Sequence, residues 1–192
     1  MLVISQYPNI LNESECNSII ELASDKLQTA EVVGENVNGY RTANSCWITD
    51  TDNNIINTIK QVVSNHSGLP IENQENPHIV KYENGDRYDS HLDSFNPYDF
   101  HQNKKIDSSG NRSHSFLIYL NQDFVGGETH FDIVDITIKP KRGMGLMWNN
   151  LHNSNLLNES SHAGFSIING IKWILIIWIR EKSTLPLNKN II

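Results

Sequence analysis

Two segments with apolar residues at helical spacing come first along the chain. Residues 12–28 carry this pattern behind Asn12 and Ser14, whose side chains are suited to cap the start of a helix. Residues 54–66 place aliphatic side chains along one face, and Pro70 follows as a stop signal. The pattern therefore predicts two helices, at about 12–28 and about 54–66.

From residue 77 onward the hydrophobic pattern has a shorter repeat. Segments rich in β-branched and aromatic residues alternate with Asn, Gly and Asp turns, which is typical of strands. We predict strands at residues 77–83, 88–95, 115–121, 129–139, 144–149, 163–168 and 171–180. Short strands behind N-terminal helices predict a mainly β protein with a double-stranded β-helix (jelly-roll) core at about 77–181, in a single domain over 1–192.

One long polar segment interrupts the predicted strands. Residues 96–114 are rich in turn-forming and charged residues and carry no strand pattern. Loops of this length in compact domains are often functional. We therefore expect either a mobile surface loop or a lid that folds over a bound substrate.

Composition narrows the class of protein. The 192 residues are 38% hydrophobic, which suits one substantial core. The net charge is −7 and no basic stripe occurs, so we expect neither a nucleic-acid partner nor a membrane surface. The start of the chain lacks a secretory signal pattern, and the longest apolar run, residues 173–179, is too short to span a bilayer. These features predict a cytoplasmic location, with Cys16 and Cys46 as free thiols, although a single disulfide stays open.

Two short His-x-Asp strings are candidates for metal binding. In His91-Leu92-Asp93, the first and third side chains would point to the same face of a strand, and both could bind one ion. A third histidine would complete the two-histidine, one-carboxylate triad that binds Fe(II). His130-Phe131-Asp132 has the same spacing, and both His152 and His162 could supply the third ligand. Spacing alone does not choose among them.

Longer strings carry a family resemblance. The strings KYENGDRYDSHLDSF, NRSHSFLIYLNQDFVGGETHF, IKPKRGMGLMWNNLH and SSHAGFSIINGIKWILIIWIRE, together with the upstream YRTANSCWI, resemble the catalytic domain of prolyl 4-hydroxylases over nearly the whole chain. The family has its His-x-Asp shortly after a Tyr-x-x-Gly-x-x-Tyr stretch, which selects His91 and Asp93. It has a basic residue ten positions after the last ligand, which selects His162 because Lys172 stands at that offset. By the same resemblance, His130 is a side chain of the sheet.

The resemblance also implies a co-substrate site. Lys172 would pair with the distal carboxylate of 2-oxoglutarate, Tyr119 would add a hydroxyl to that carboxylate, and Tyr82 would assist at the end nearer the iron. Independently of the family, a lysine inside an apolar strand is costly to bury without an anionic partner. The alternative is that Lys172 is an edge-strand charge that discourages aggregation.

The function implied by the resemblance is that of an Fe(II)- and 2-oxoglutarate-dependent dioxygenase. Such an enzyme consumes O₂, releases succinate and CO₂, and would here hydroxylate a peptidyl proline, with ascorbate as a further implied reductant. In this interpretation His91, Asp93, His162 and Lys172 are the catalytic residues. Two alternatives stay open: a hydroxylase of a free amino acid or other small molecule, and a catalytically silent jelly-roll binding module.

Overall fold

The computed structural model describes residues 1–29, 42–49 and 54–185. Residues 40 and 41, which begin the YRTANSCWI string, lie outside these ranges. Within them, no helix is both long and apolar enough to cross a membrane. Both cysteines, Cys16 and Cys46, are buried free thiols, as predicted. A single domain over 1–192 stays a prediction.

Three α-helices occur in the described ranges. They are α1 (Glu13–Ser24), α2 (Asn54–Ser67) and the single turn α3 (Phe100–Asn103), with 3₁₀ turns at Ile71–Asn73 and Asn158–Ser160. A capping box starts α1, because the Asn12 side chain accepts from the Glu15 N–H at 3.0 Å while Glu15 accepts from the Asn12 N–H at 2.7 Å. The second helix agrees with its prediction. The first ends four residues early, because the chain at 28–29 turns into a strand.

Fifteen short strands build the rest of the described fold. They are β1 (Ile4–Tyr7), β2 (Gln28–Thr29), β3 (Asn44–Trp47), β4 (His78–Tyr82), β5 (Tyr88–His91), β6 (Arg112–Tyr119), β7 (Phe124–Gly126), β8 (Thr129–Phe131), β9 (Ile136–Ile138), β10 (Gly145–Asn149), β11 (Leu151–His152), β12 (Asn155–Leu156), β13 (His162–Gly164), β14 (Ile167–Gly170) and β15 (Lys172–Arg180). A seven-stranded sheet has the order β1-β10-β6-β15-β4-β3-β2, and a four-stranded sheet has the order β5-β13-β8-β9. Two ribbons, β14–β7 and β11–β12, complete the set. The antiparallel double sheet confirms the predicted jelly-roll core.

Strand β15 divides the hydrophobic core into two clusters. All nine of its residues are buried, although strand side chains alternate between faces. Trp173 and Ile179 belong to the cluster that α1 and α2 cover, whereas Ile174 and Trp178 belong to the cluster on the opposite side. Lys172 lies an even number of residues from Ile174 and Trp178, so the three side chains share one face of the strand. Its side chain is therefore directed between the two sheets.

Several strand boundaries differ from the prediction. The segment 129–139 is a hairpin of β8 and β9, because a turn that holds Asp135 at φ 53° reverses the chain. The segment 163–168 is divided between β13 and β14. The strands β1, β2, β3 and β7 were not predicted, and neither were the short strands β11 and β12.

The polar segment is shorter than predicted. Residues 112–114 belong to β6, so the connection ends at 111, and it contains the short helix α3. The preceding strand is also shorter, since β5 ends at His91 rather than near residue 95. Asp93 therefore lies in the bend that leads into this connection.

Candidate metal and co-substrate site

The side chains of the three predicted metal ligands meet between the two sheets. His91 on β5 and His162 on β13 are register partners, and their ring centroids lie 4.3 Å apart. Asp93 Oδ1 lies 3.4 Å from His91 Nε2, and Asp93 Oδ2 lies 3.8 Å from His162 Nε2. The expectation that Asp93 stands on the same strand as His91 was wrong. The bend after β5 brings its carboxylate to the histidines instead.

Backbone carbonyls fix the orientation of both imidazoles. His91 Nδ1 lies 2.9 Å from the Asp89 carbonyl oxygen, and His162 Nδ1 lies 2.9 Å from the Ser160 carbonyl oxygen. A carbonyl only accepts, so each Nδ1 carries the proton and each Nε2 presents a lone pair towards the centre of the cluster. Burial, followed by the neighbouring His91, lowers the pKa of His162 to about 4. His162 is therefore neutral at physiological pH, as a metal ligand must be.

The carboxylate of Asp93 is ionised although it is buried. Burial acts to raise its pKa, but the adjacent His162 and His91 and a hydrogen bond from Ser115 outweigh this effect and hold the pKa well below its usual range. Two imidazoles and one carboxylate that converge in this way are the donor set of non-haem Fe(II) sites. The three residues therefore fit such an ion. The described residues contain no second cluster of this kind.

Lys172 is buried at the start of β15. Only 3% of it is exposed, and its Nζ donates a 2.6 Å hydrogen bond to the Gly127 carbonyl. The ammonium lies 5.4 Å from the ring centroid of Tyr82 and 5.6 Å from that of Tyr119. Because β15 lies between β6 and β4, the alternative of an edge-strand charge is wrong. Burial lowers the pKa of Lys172 to about 8, partly offset by Glu128.

The neighbours of this ammonium include Tyr119, whose hydroxyl is paired with Thr129, and the backbone of Gly127. The Tyr119 hydroxyl lies 2.7 Å from Thr129 Oγ1, and burial raises the pKa of Tyr119 well above its usual value. Gly127 has a φ of +71°, and a Cβ on it would lie 2.5 Å from Ile167 Cδ1. A side chain there would also press on Lys172, so only glycine allows the chain to approach so closely. A buried cation beside a tyrosine hydroxyl is a combination that could hold a small carboxylate.

Comparison with known proteins decides the family. Residues 77–180 match the family model described as the 2OG-Fe(II) oxygenase superfamily. The chain belongs to this superfamily. It is also 31% identical over 205 residues to prolyl 4-hydroxylase 2 of Arabidopsis thaliana, an alignment that covers 92% of this chain and 67% of that relative. The protein is therefore a prolyl hydroxylase-type dioxygenase, of a family that uses Fe(II), 2-oxoglutarate and O₂.

Two solved structures share the fold. The viral collagen prolyl hydroxylase of Paramecium Bursaria Chlorella virus-1, in a 2OG complex, has a TM-score of 0.74 at 22% identity and covers 92% of this chain and 95% of its own. A Trichoplax adhaerens prolyl hydroxylase in complex with a hypoxia inducible factor peptide fragment has a TM-score of 0.68 at 15% identity, over 93% and 83% of the two chains. At these identities the likeness establishes the fold alone.

The competing histidines of the dioxygenase lie outside the cluster. His130 on β8 has its Nδ1 2.9 Å from Thr137 Oγ1, and its ring stacks on Phe165 at 5.1 Å. His152 is exposed on the short strand β11. Neither belongs to the group of converging ligand atoms. This placement agrees with the choice of the first His-x-Asp string and of His162.

Trp178, which the sequence predicts to be part of the core and pocket wall, lies near Asp93, and sequence reasoning missed the cation that packs on it. Trp178 on β15 pairs in register with Ser115 on β6, and Ser115 donates to Asp93. The guanidinium of Arg112 stacks 3.6 Å from the centroid of Trp178. Trp47 lies 5.7 Å from Trp178, centroid to centroid, and 46% of it is exposed. This aromatic pair therefore leads from the half-exposed Trp47 to the buried Trp178, whose register partner Ser115 contacts Asp93.

A partly buried ion network supports this wall. Arg112 Nε donates a 2.8 Å hydrogen bond to Glu75 Oε1, and Arg112 Nη2 donates a 2.8 Å hydrogen bond to Glu75 Oε2. Arg180 Nε donates to the same carboxylate at 2.6 Å. Glu75 and Arg180 also line a cavity of about 670 Å³, together with Trp47. Glu75, Arg112 and Arg180 are far apart in the sequence. No local pattern therefore predicts this network, and it is recognised only in the folded structure.

Proposed function

We propose that this dioxygenase hydroxylates proline residues within a peptide or protein substrate. The observation that carries the proposal is the aromatic pair of Trp178, whose register partner Ser115 donates to Asp93, and the half-exposed Trp47. A proline ring packs well on an aromatic face, and an exposed aromatic beyond it offers contact area to residues that flank the proline. The names of the relatives, prolyl 4-hydroxylase and collagen prolyl hydroxylase, support the same substrate class.

The metal would be held by His91, Asp93 and His162. A donor set of two histidines and one carboxylate would leave coordination positions on the ion for the co-substrate and O₂. With these bound, the iron supplies the oxidising chemistry that hydroxylates a C–H bond. The protein supplies ligand orientation, through the Asp89 and Ser160 carbonyls, and exclusion of water, through burial of the cluster.

Lys172 would bind the distal carboxylate of 2-oxoglutarate. Its ammonium has three donors, of which one is directed to the Gly127 carbonyl, so two are left for an anion. The Tyr119 hydroxyl, at the same end of the pocket, would donate a further hydrogen bond, while Tyr82 would line the pocket beside it. A role for ascorbate stays a prediction from the family.

Mass spectrometry of proline-containing peptides tests the substrate. Peptides incubated with the enzyme, Fe(II) and 2-oxoglutarate should gain one oxygen atom on proline, and His91→Ala protein should produce no such gain. Oxygen incorporation into free amino acids, but into none of the peptides, would favour the small-molecule alternative. The silent binding module is disfavoured by the family and by the assembled cluster.

Replacement of Trp47 distinguishes a peptide substrate from a free amino acid substrate. A peptide would reach this side chain along the aromatic pair, whereas a free amino acid bound beside Asp93 would not. Trp47→Ala should therefore raise the peptide KM and leave the 2-oxoglutarate KM unchanged, and Trp47→Phe should preserve most of the affinity because it keeps an aromatic face. An unchanged peptide KM in Trp47→Ala would count against a peptide lying on this pair.

A further inference from the structure

Two fully buried polar residues lie behind the metal ligand Asp93. Ser115 Oγ donates a 2.6 Å hydrogen bond to Asp93 Oδ2, and Asn150 Nδ2 donates a 2.8 Å hydrogen bond to Ser115 Oγ. Neither Ser115 nor Asn150 has any exposed surface. The direction of this relay is fixed, because an ionised carboxylate only accepts and the serine has a single proton to give. Ser115 must therefore accept from the amide of Asn150.

The relay leaves one amide oxygen without a partner. Asn150 Oδ1 is buried and has no hydrogen bond within the described residues. Reversing the amide would place Oδ1 against Ser115 Oγ, whose proton is already directed to Asp93, so the orientation with the unpaired oxygen is required. Burial of an unpaired amide oxygen is unfavourable, and its presence in a core calls for an explanation.

Asn150 also supports the segment that carries His162. Its backbone carbonyl accepts from the Leu157 N–H at 3.0 Å, at the start of the 3₁₀ turn Asn158–Ser160. The carbonyl of Ser160, at the end of that turn, holds His162 Nδ1. One residue is therefore linked to two of the three ligands, by its side chain to Asp93 and by its backbone to His162.

The relay distinguishes the two oxygens of Asp93. Oδ2 accepts the hydrogen bond from Ser115 and lies 3.8 Å from His162 Nε2, whereas Oδ1 lies 3.4 Å from His91 Nε2. We propose that Ser115 and Asn150 are positioning residues that hold Asp93 as a single-oxygen ligand, so that the second oxygen does not take a coordination position needed by 2-oxoglutarate or O₂. This inference rests on the metal site proposed above.

Metal affinity tests the inference without turnover. Metal-free protein is titrated with Co(II) alone, and Ser115→Ala should bind it about 10–100-fold more weakly than wild type, the usual effect of removing a partner of a metal ligand. Ser115→Thr keeps the hydroxyl and should restore most of the affinity. Ser113→Ala is a matched control, since this serine lies on the same strand and donates to the Ile179 carbonyl instead. An affinity of Ser115→Ala equal to that of wild type would overturn the proposal.

A double-mutant cycle tests whether the two residues act in series. Asn150→Ala should weaken Co(II) binding less than Ser115→Ala does, and the double variant should bind no more weakly than Ser115→Ala alone. Losses that simply add would show that Asn150 does not act through Ser115. Thermal unfolding of each metal-free variant identifies a merely structural effect, which would lower the midpoint and leave Co(II) affinity unchanged. If Asn150→Ala does not fold, the Ser115 variants still decide.

One further variant separates failure of the relay from failure of the site. If His91→Ala loses Co(II) binding while Ser115→Ala retains it, the relay alone is wrong. If His91→Ala retains wild-type affinity, the metal site and the relay are both wrong. The ratio of succinate to hydroxyproline gives a second readout, because a poorly oriented Asp93 should raise it in Ser115→Ala and leave it unchanged in Ser113→Ala.

Discussion

His91 and His162 face each other as direct partners in the antiparallel register of β5 and β13. The two ligands are thus held at a fixed spacing by backbone pairing, with Asp93 supplied from the bend that follows β5. Sites built on strands are positioned more accurately than sites built on loops. We therefore expect the site to be formed before any metal binds.

Removal of a ligand should abolish turnover. His91→Ala, Asp93→Ala and His162→Ala should each eliminate 2-oxoglutarate decarboxylation, because each removes one of the three converging ligand atoms. His130→Ala and His152→Ala are matched controls that should remain largely active. Succinate release measures all five variants. Loss of iron binding in His130→Ala, with retention in His91→Ala, would contradict the choice of the first His-x-Asp string.

Lys172→Ala should weaken 2-oxoglutarate binding. A buried carboxylate that loses its partner costs about 2–5 kcal/mol, which corresponds to at least roughly thirtyfold at 1.4 kcal/mol per factor of ten. Lys172→Arg should be intermediate, because the planar guanidinium is larger and approaches a carboxylate differently. Iron binding should survive in both variants. Anaerobic titration of 2-oxoglutarate into the iron-loaded protein measures the effect, and Lys81→Ala, on the neighbouring strand β4, is the control.

The affinity for 2-oxoglutarate should fall at alkaline pH. The pKa of Lys172 is about 8 in the protein without ligand, below its ordinary value, because the ammonium is buried. The charged form binds the anion, so the affinity should be constant below this pKa and decrease above it, by up to tenfold per pH unit. Lys172→Arg should show no such decrease, since a guanidinium stays charged throughout this range. A wild-type affinity that stays constant for a full unit above the pKa would contradict the assignment.

The connection after Asp93 should contribute to peptide binding through its tip. Its base is anchored, because the Asn111 side chain bonds both the N–H and the carbonyl of Phe95, at 2.8 and 2.7 Å. Its tip exposes 95% of Tyr98 and 69% of Phe100. Replacing both aromatics with alanine should raise the peptide KM much more than the 2-oxoglutarate KM. Equal effects on both constants would show that the segment is structural. Mobility and closure of this tip over a peptide stay predictions.

Sequence patterns were sufficient where one periodicity dominated. The aliphatic face of α2 and the buried run of β15 were predicted with nearly correct bounds. The segment 129–139 was not, because its turn residues Asp132 and Asp135 are embedded in apolar neighbours and the hairpin resembles one long strand. Short strands such as β1 depend on pairing with β10, a partner more than a hundred residues away, which local patterns do not contain.

The site, like the fold, was predictable only where a local sequence pattern marked it. The positions of His91, Asp93, His162 and Lys172 follow recognisable spacings, and the structure brings the first three together. Ser115 does not follow such a spacing, nor does Asn150, because hydroxyls and amides are common along this chain and only the packing of β6 against β10 sets them behind Asp93. Residues that contact a metal ligand, and not the metal itself, are therefore recognisable only in the folded structure.

The central position of β15 has a consequence for folding. This strand follows all other described strands in sequence, yet it is inserted between β4 and β6 and carries Lys172 and Trp178. During synthesis, the sheet therefore keeps a gap until residue 180 has emerged, and its contacts with β4 span about ninety residues. Such long-range pairing makes folding slow and leaves strand edges exposed meanwhile. We expect the surroundings of Lys172 to form late, so that, if Lys172 binds 2-oxoglutarate as proposed, partly folded chains should not consume O₂.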